Sequence, residues 1–131
     1  MATAIIDLLG GEAVLGPGVR SELDLARATR NGLPLRAADR IRTTAGIARP
    51  LDGAHFDERR LTPAESDAIV RIARVLARAI DVLGDQSKAA HWVNTPNQAL
   101  GGEIPLTLLD TSSGEHEVEA LLDRIEYGVY S

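Results

Sequence analysis

The chain has 131 residues, of which 44% are hydrophobic and 3% aromatic, and its formal net charge is −5. This composition suits one core, or two small linked cores, of Leu, Ile, Val and Ala, and it excludes disorder throughout the chain. The lack of cysteine excludes a disulfide framework and thiolate metal sites and fits a reducing cytosol. We expect a cytoplasmic protein without membrane contact, because no apolar run reaches the roughly 18 residues of a membrane span and the N-terminus lacks the basic start of a signal peptide.

The charge is unevenly distributed along the chain. Residues 20–60 contain nine Arg and six acidic residues, whereas residues 85–131 contain two basic and eight acidic residues. A chain polarised in this way can present a basic patch to nucleic acid and an acidic face to a protein. A mixed, solvated surface is the alternative interpretation of the same charges.

Residues 1–19 are predicted to form a short apolar helix and a linker. The helix ends where two glycines follow each other, at Gly10 and Gly11. Gly11 and Gly16 have the spacing of a phosphate-binding loop, but Pro17-Gly18 follows where that loop needs Lys and then Ser or Thr. We therefore exclude nucleotide binding here and expect a linker.

Residues 20–60 are predicted to contain two helices. The first extends from the N-cap Ser21 to Asn31, and the second follows Pro34. In the first helix, Leu23, Ala26 and Arg30 follow one another at intervals of about one helical turn. The apolar face of the second helix consists of Leu35, Ala38, Ile41 and Ala45.

A long helix is predicted from Leu61 to Gly84. Thr62 and Glu65 form a capping box around Pro63, and Gly84 stands where a left-handed C-terminal residue is favoured. The apolar stripe of this helix consists of Ile69, Ile72, Ala73, Leu76, Ile80 and Leu83. Because further apolar residues widen the stripe, the helix can serve both a core and an interface, and we expect a homodimer.

The segment WVNTPNQALGGEIPLTLL, residues 92–109, is predicted to form a compact helical corner. Pro96 is assigned to the first position of a helical turn, Gly101-Gly102 ends that turn, and Pro105 opens another. Trp92 can bury about 150 to 250 Å² and is expected to anchor the core.

The last helix is predicted from Gly114 to Tyr127. Ser112 and Glu115 are assigned as its capping box, and Gly128 as its end. Its core face consists of Val118, Leu121, Leu122 and Ile125.

Together these features, from Leu61 to Val129, closely resemble the toxin-binding domain of the Xre/MbcA/ParS-type antitoxins. The matching features are the long helix, the small-residue helix that leads into Trp92, the motif TPNQALGGEIPLTLL and the closing LLDRIEYGV. The resemblance implies an all-α protein in which residues 61–131 form a compact toxin-binding domain built on one long central helix.

The helical, basic region at residues 20–60 would then correspond to the Xre-like helix-turn-helix of that family. It is shorter than the family pattern, and Pro50 and Gly53 oppose a long recognition helix, so we expect a reduced version. The candidate DNA-binding residues are Arg36, Arg40, Arg42, Arg59 and Arg60. A solvated helix face is the alternative for these arginines.

The resemblance implies the antitoxin of a type II toxin–antitoxin system, which binds and occludes the active site of a cognate RES-domain toxin. Such a toxin acts on NAD, either by degrading it or by ADP-ribosyl transfer. The residues assigned to toxin binding are Asn97, Arg124, Tyr127, Gly128 and Tyr130, and those assigned to the structural motif are Trp92, Pro96, Gly101, Gly102 and Pro105. The alternative function is a DNA-binding transcriptional regulator, an autorepressor that uses the basic half, and both functions can coexist in one protein.

No catalytic, cofactor-binding or metal-binding residues are expected. His55, His91 and His116 lack the spacing of metal ligands, and no cysteine completes a site. The sequence Ser112-Ser113-Gly114 does not indicate a nucleophile with a base and an oxyanion donor. We therefore expect neither an enzyme nor a cofactor.

Overall fold

A computed structural model of the chain describes residues 2–47 and 60–128. In these two ranges the fold is all-α, as predicted, without strands. The α-helices are α1 (Ala2–Leu8), α2 (Gly11–Leu15), α3 (Glu22–Asn31), α4 (Leu35–Thr44), α5 (Pro63–Leu83), α6 (Gln86–Val93) and α7 (Ser112–Glu126). Two 3₁₀ helices lie between α6 and α7, the first at Gln98–Leu100 and the second at Pro105–Asp110.

The chain divides into two compact units, Met1–Ala73 and Arg74–Ser131, and the boundary falls within α5. The predicted division into residues 1–19, 20–60 and 61–131 stays a prediction. None of the helices in the described ranges combines the length and the apolar composition needed to cross a bilayer.

In the first unit, α1, α2 and α4 pack against one another. Part of the predicted linker, residues 11–15, is helix α2. Gly10 reverses the chain between α1 and α2 with φ of 115°, a conformation that residues with a side chain rarely adopt. The helix is too short to be stable alone, so its packing against α1 and α4 explains why local sequence signals missed it.

The inward face of α3 is formed by another residue than those noted for their turn spacing in the sequence. Ser21 is the N-cap, as predicted, and its Oγ accepts a hydrogen bond of 3.1 Å from the Asp24 N–H. Leu25 is buried, however, whereas Leu23 is 59% exposed and Ala26 is exposed as well. The helix buries little apolar surface, and a pattern with few apolar residues defines its face poorly.

The turn between α3 and α4 is fixed to the start of α5. The Leu33 N–H donates to Ser66 Oγ at 2.8 Å, and the Leu61 N–H donates to the Leu33 carbonyl oxygen at 2.8 Å. Ser66 is fully buried, so its hydroxyl satisfies a backbone donor that has no access to water. Gly32 has φ of 90°, and a Cβ atom there would overlap the Leu61 carbonyl oxygen.

The start and end of α5 follow the prediction. Thr62 Oγ1 accepts from the Glu65 N–H at 3.1 Å, and Glu65 Oε1 accepts from the Thr62 N–H at 2.8 Å, which completes the capping box. Gly84 follows the helix with φ of 99°. Asp67 and Arg71 form an ion pair of 2.7 Å within the helix.

Candidate protein-binding site

The site predicted for toxin binding lies in the second unit, where α6, the two 3₁₀ helices and α7 meet. The second 3₁₀ helix packs against both α6 and α7, and α7 also packs against the first 3₁₀ helix. The buried side chains of these elements include Ala89, Val93, Pro105, Leu109, Val118, Leu121 and Leu122. The corner and α7 therefore share one packed structure.

Asn97 organises the corner through its backbone and its side chain. Its N–H donates to the Glu103 carbonyl oxygen at 3.0 Å, and its carbonyl oxygen accepts from Gly102 at 2.9 Å and from Leu100 at 3.0 Å. Its Oδ1 accepts from the Ala99 N–H at 2.9 Å. A residue assigned to toxin binding thus also holds the two ends of the corner together.

The predicted position of Pro96 at the start of a helical turn is wrong. Asn97, with φ of −128° and ψ of 123°, is the N-cap of the first 3₁₀ helix, so Pro96 precedes the cap. The reason is the bridge between Asn97 and Glu103, which keeps Asn97 extended. Gly101 ends the turn in the left-handed conformation, with φ of 69°, as predicted.

Trp92 lies in the last turn of α6 and is half-buried, so it is less enclosed than the core anchor that we expected. The end of α6 is fixed by two side chains that follow it. Asn94 Nδ2 donates to the Ala90 carbonyl oxygen at 2.8 Å, and Thr95 Oγ1 donates to the His91 carbonyl oxygen at 2.6 Å. These bonds satisfy carbonyl groups that a helix end leaves unpaired.

The N-cap of α7 lies one residue before the predicted Ser112, and the helix begins at Ser112, two residues before the predicted Gly114. Thr111 is the N-cap, because its Oγ1 accepts from the Gly114 N–H at 3.0 Å, so the predicted capping box of Ser112 and Glu115 is wrong. Gly114 is buried, and a Cβ atom there would overlap the carbonyl oxygen of Leu108. The second 3₁₀ helix thus approaches the backbone of α7 at a position where only glycine fits.

The end of α7 carries three of the predicted toxin-binding residues. Arg124 is exposed, Tyr127 is 73% exposed, and Gly128 follows with φ of 71°. Arg124 and Tyr127 are three residues apart at the end of α7, and both are exposed, whereas Leu121 and Leu122 are buried. Tyr130 lies outside the described residues.

Arg78 connects α5 to the end of α7, and the sequence analysis missed this role. Its Nη2 lies 2.8 Å from Asp123 Oδ1 and 2.6 Å from Glu126 Oε1, and its Nη1 lies 3.1 Å from Glu126 Oε2 and 3.5 Å from Asp81 Oδ2. The partners in α7 are 45 and 48 residues away in sequence, so no helical spacing could reveal them.

The pKa values of α7 reflect these charges. Hydrogen bonds from Arg78 hold the pKa of Glu126 below the ordinary value of a glutamate. The hydrogen bonds to Glu126 and Asp123 in turn raise the pKa of Arg78 above its already high value, so this guanidinium stays charged. Burial, together with the neighbouring carboxylate of Glu115, raises the pKa of Glu119.

The candidate DNA-binding arginines are only partly brought together. Arg36, Arg40 and Arg42 are exposed along the ten residues of α4. Arg60 is exposed too, but its Nη1 donates to the Gly32 carbonyl oxygen at 3.0 Å, which gives it a structural role. Arg59 lies outside the described residues. Within residues 2–47 and 60–128, no group of three or more His, Asp or Glu side chains could hold a metal ion.

Comparison with known proteins gives concordant results. Residues 78–128 match the family model described as the antitoxin Xre/MbcA/ParS C-terminal toxin-binding domain. Over 109 residues, 82% of the chain, the sequence is 39% identical to an antitoxin Xre of Yersinia enterocolitica and covers 64% of that protein. An antitoxin Xre of Photorhabdus laumondii is 42% identical over 73 residues, which are 55% of the chain and 49% of the relative.

A third relative, an antitoxin Xre of Pseudomonas putida, is 37% identical over 68 residues, 52% of the chain and 43% of the relative. The chain thus covers between 43% and 64% of the length of these relatives, less than two thirds of each. The family domain begins at Arg78 and ends at Gly128, so it contains the corner, α7 and the ion pairs between α5 and α7. Residues 78–128 thus match the C-terminal domain of the Xre/MbcA/ParS antitoxin family, and the chain is similar to antitoxins Xre over 82% of its length.

Proposed function

We propose that the chain neutralises a cognate toxin of a type II toxin–antitoxin system, and that this toxin is a RES-domain protein acting on NAD. The observation that carries the proposal is the match of residues 78–128 to a toxin-binding domain. The chain would bind the toxin and occlude its active site, without catalytic activity or a cofactor of its own.

The end of α7 supports a binding role, because it presents side chains that are frequent in the energetic centres of interfaces. Tyrosine and arginine are enriched there, since both combine a flat surface with polar groups. Tyr127 and Arg124 are exposed at the end of α7. We therefore assign direct contact with the toxin to these two residues, and we assign to Asn97 and Gly128 the shape of the corner and of the helix end.

The proposal is tested by co-purifying the full chain with the product of the neighbouring reading frame. We expect a stable complex, and we expect the NAD consumption of the toxin to fall in proportion to the amount of chain added. The chain alone should leave NAD unchanged. A chain that forms no complex and does not slow NAD consumption would contradict the proposal.

We also propose that the chain forms a homodimer within this complex and acts in the cytoplasm. Part of the apolar stripe of α5, including Ile72, Ile80 and Leu83, is only half-buried in a single copy. A second copy that covered these side chains would remove further apolar surface from water. Light scattering should give the mass of two copies for the purified chain, and the mass of two copies together with the bound toxin for the complex. A single copy of the chain in both samples would contradict this proposal.

A second candidate function is operator binding through α4. Three observations favour it: α3 and α4 are joined by the three residues 32–34, the connection contains Gly32, and the arginines of α4 are exposed. A short turn with glycine between two helices is typical of the helix-turn-helix motif. An operator-binding assay with the chain alone tests this candidate separately from toxin binding.

A further inference from the structure

We infer that Arg78 is a positioning residue, which holds the end of α7 in the orientation that binds the partner; this inference rests on the proposed toxin binding. Arg78 lies in α5 and contacts carboxylates on α7 at 2.6 to 3.1 Å. Its side chain is 27% exposed, compared with 54% for Asp123 and 34% for Glu126, so these are surface ion pairs whose strength comes from their paired geometry and not from burial.

The end of α7 needs a cation at this place. Asp123 and Glu126 lie in the last turn of the helix, where the helix dipole presents its negative end and disfavours carboxylates. The two carboxylates are also three residues apart and repel each other. The Arg78 guanidinium removes both unfavourable interactions, because its two terminal nitrogens bind Glu126 as a pair and one of them also binds Asp123.

The core of the second unit does not extend to the end of α7. Leu121 and Leu122 are fully buried, but Ile125, the next apolar residue, is only half-buried. Beyond Leu122 apolar packing is therefore reduced, and the ion pairs with Arg78 add a second connection between the helix and α5. Asp123 is followed directly by Arg124, and Glu126 directly by Tyr127. Fixing the two carboxylates that Arg78 binds therefore also fixes the backbone that carries Arg124 and Tyr127.

The consequence for binding follows from preorganisation. A helix end that is already ordered loses less conformational entropy when a partner binds it. Loss of the Arg78 contacts should therefore weaken the complex, although Arg78 itself need not touch the toxin. A lysine in its place would retain one point charge and lose the planar, paired geometry, so it should restore binding only in part.

The experiment uses the full chain with the substitutions Arg78→Gln, Arg78→Lys, Glu126→Gln and the double substitution of Arg78→Gln with Glu126→Gln. Asp67→Asn is the matched control, because it removes an ion pair of 2.7 Å that is confined to α5. For each variant, amide hydrogen exchange in the last turn of α7, the thermal unfolding midpoint and the dissociation constant for the toxin are measured.

We expect Arg78→Gln and Glu126→Gln each to accelerate exchange in the last turn of α7 and to weaken toxin binding, both by about five- to tenfold. The double variant should be little worse than either single variant, because the two residues act as one pair. Asp67→Asn should change neither the exchange in the last turn of α7 nor the affinity for the toxin. The weaker binding of the other variants should be observed at temperatures where every variant is fully folded.

Unchanged exchange in Arg78→Gln would overturn the inference, as would faster exchange with unchanged toxin affinity or fully additive effects in the double variant. These results differ from a failure of the proposed function. In that case the wild-type chain itself does not bind the toxin, and the positioning role fails with it, whereas the exchange measurement still reports whether Arg78 holds the helix end.

Discussion

Tyr127 carries the most exposed of the large hydrophobic side chains in the described part of the chain, at 73%, compared with 59% for Leu23 and 48% for Ile47. A tyrosine ring offers a large contact area for the loss of only two side-chain torsions, which suits it to an interface. Its place at the end of α7, beside Arg124, distinguishes it from the other two residues.

Replacing Tyr127 with alanine should weaken toxin binding strongly and leave the fold unchanged. A central aromatic contact is typically worth about 2 kcal/mol or more, so we expect a loss of affinity of about 30-fold or more. Because the ring is exposed, the free energy of unfolding should change by less than about 0.5 kcal/mol. Isothermal titration with the toxin and chemical unfolding measure the two quantities.

The matched control is Leu23→Ala, which removes another exposed large side chain, from α3. It should leave toxin affinity unchanged. An equal effect of both substitutions, or none for Tyr127→Ala, would argue against a contact at the end of α7.

In α7, Glu119 should titrate at a higher pH than an ordinary glutamate, and Glu126 at a lower pH. The pKa of Glu126 is lowered by Arg78, so its stabilising effect is complete above the unfolded pKa and is lost as pH falls through the folded pKa. The pKa of Glu119 is raised by burial, so its destabilising effect at neutral pH is relieved as pH falls through its folded pKa. Carboxyl carbon NMR should show Glu119 titrating before Glu126 on acidification.

Substitution separates the two effects. Glu119→Gln should increase the free energy of unfolding at pH 7, and Glu126→Gln should decrease it. Both differences should vanish once the pH is below the folded pKa of Glu126. Coincident titration of the two residues would contradict the assignment of opposite environments.

At the scale of the helices and turns, several local signals predicted the right structure, because the groups that form the helix end are close in sequence. Ser21, the capping box of Thr62 and Glu65, and Gly84 are such cases. The N-cap of α7 was predicted one residue too late, since Thr111 and Ser112 are both good N-caps, and the close approach of Leu108 to Gly114 was not predicted at all. Long-range packing of this kind is invisible to a sequence pattern.

Gly114→Ala should destabilise the chain, although alanine is the better residue for a helix interior. Intrinsic propensity favours alanine by about 1 kcal/mol. The added Cβ atom would meet the Leu108 backbone carbonyl, however, and forced overpacking of this kind costs about 1 to 3 kcal/mol. We therefore expect a net loss in the free energy of unfolding, measured by urea denaturation.

Gly18→Ala is the control, because a Cβ atom there meets no neighbour within 4 Å and the backbone does not require positive φ. It should be neutral or slightly stabilising. Unchanged or increased stability in Gly114→Ala would contradict the close approach of α7 to the second 3₁₀ helix.

The corrected N-cap of α7 can be tested by a pair of neighbouring substitutions. Thr111→Ala should cost about 1 kcal/mol, because the Gly114 N–H loses its hydrogen-bond acceptor. Ser112→Ala should be close to neutral, since Ser112 is the first residue of the helix and not its cap. Thermal unfolding of the two variants under identical conditions measures the difference, and the reverse order would restore the capping box predicted from the sequence.

For the whole molecule, the sequence predicted the all-α class and the family but not the contacts that join distant segments. Apolar periodicity and helix caps are local, and they identified the long helix α5. The motif of the corner identified the family, which the match at residues 78–128 bears out. The role of Arg78 depends on residues that follow 45 and 48 positions later, and that of Ser66 on a residue 33 positions earlier, so neither could be predicted.

If α4 binds an operator, its affinity should fall steeply as salt increases, because phosphate contacts release counterions. Arg40→Gln and Arg42→Gln should each reduce the slope of log K against log salt by about one. Lys88→Gln is the control, since Lys88 is an exposed cation on α6, in the second unit. A flat salt response, or equal slopes for all three variants, would argue against DNA contact through α4.

The intrinsic fluorescence of Trp92 can report on binding at the corner. The chain has one tryptophan, and this residue is half-buried in the last turn of α6, which packs against the second 3₁₀ helix. Excitation near 295 nm in an unlabelled sample therefore reports on this single place. A partner that covers the corner should shift the emission to shorter wavelength, so the chain reports binding at this place without a label.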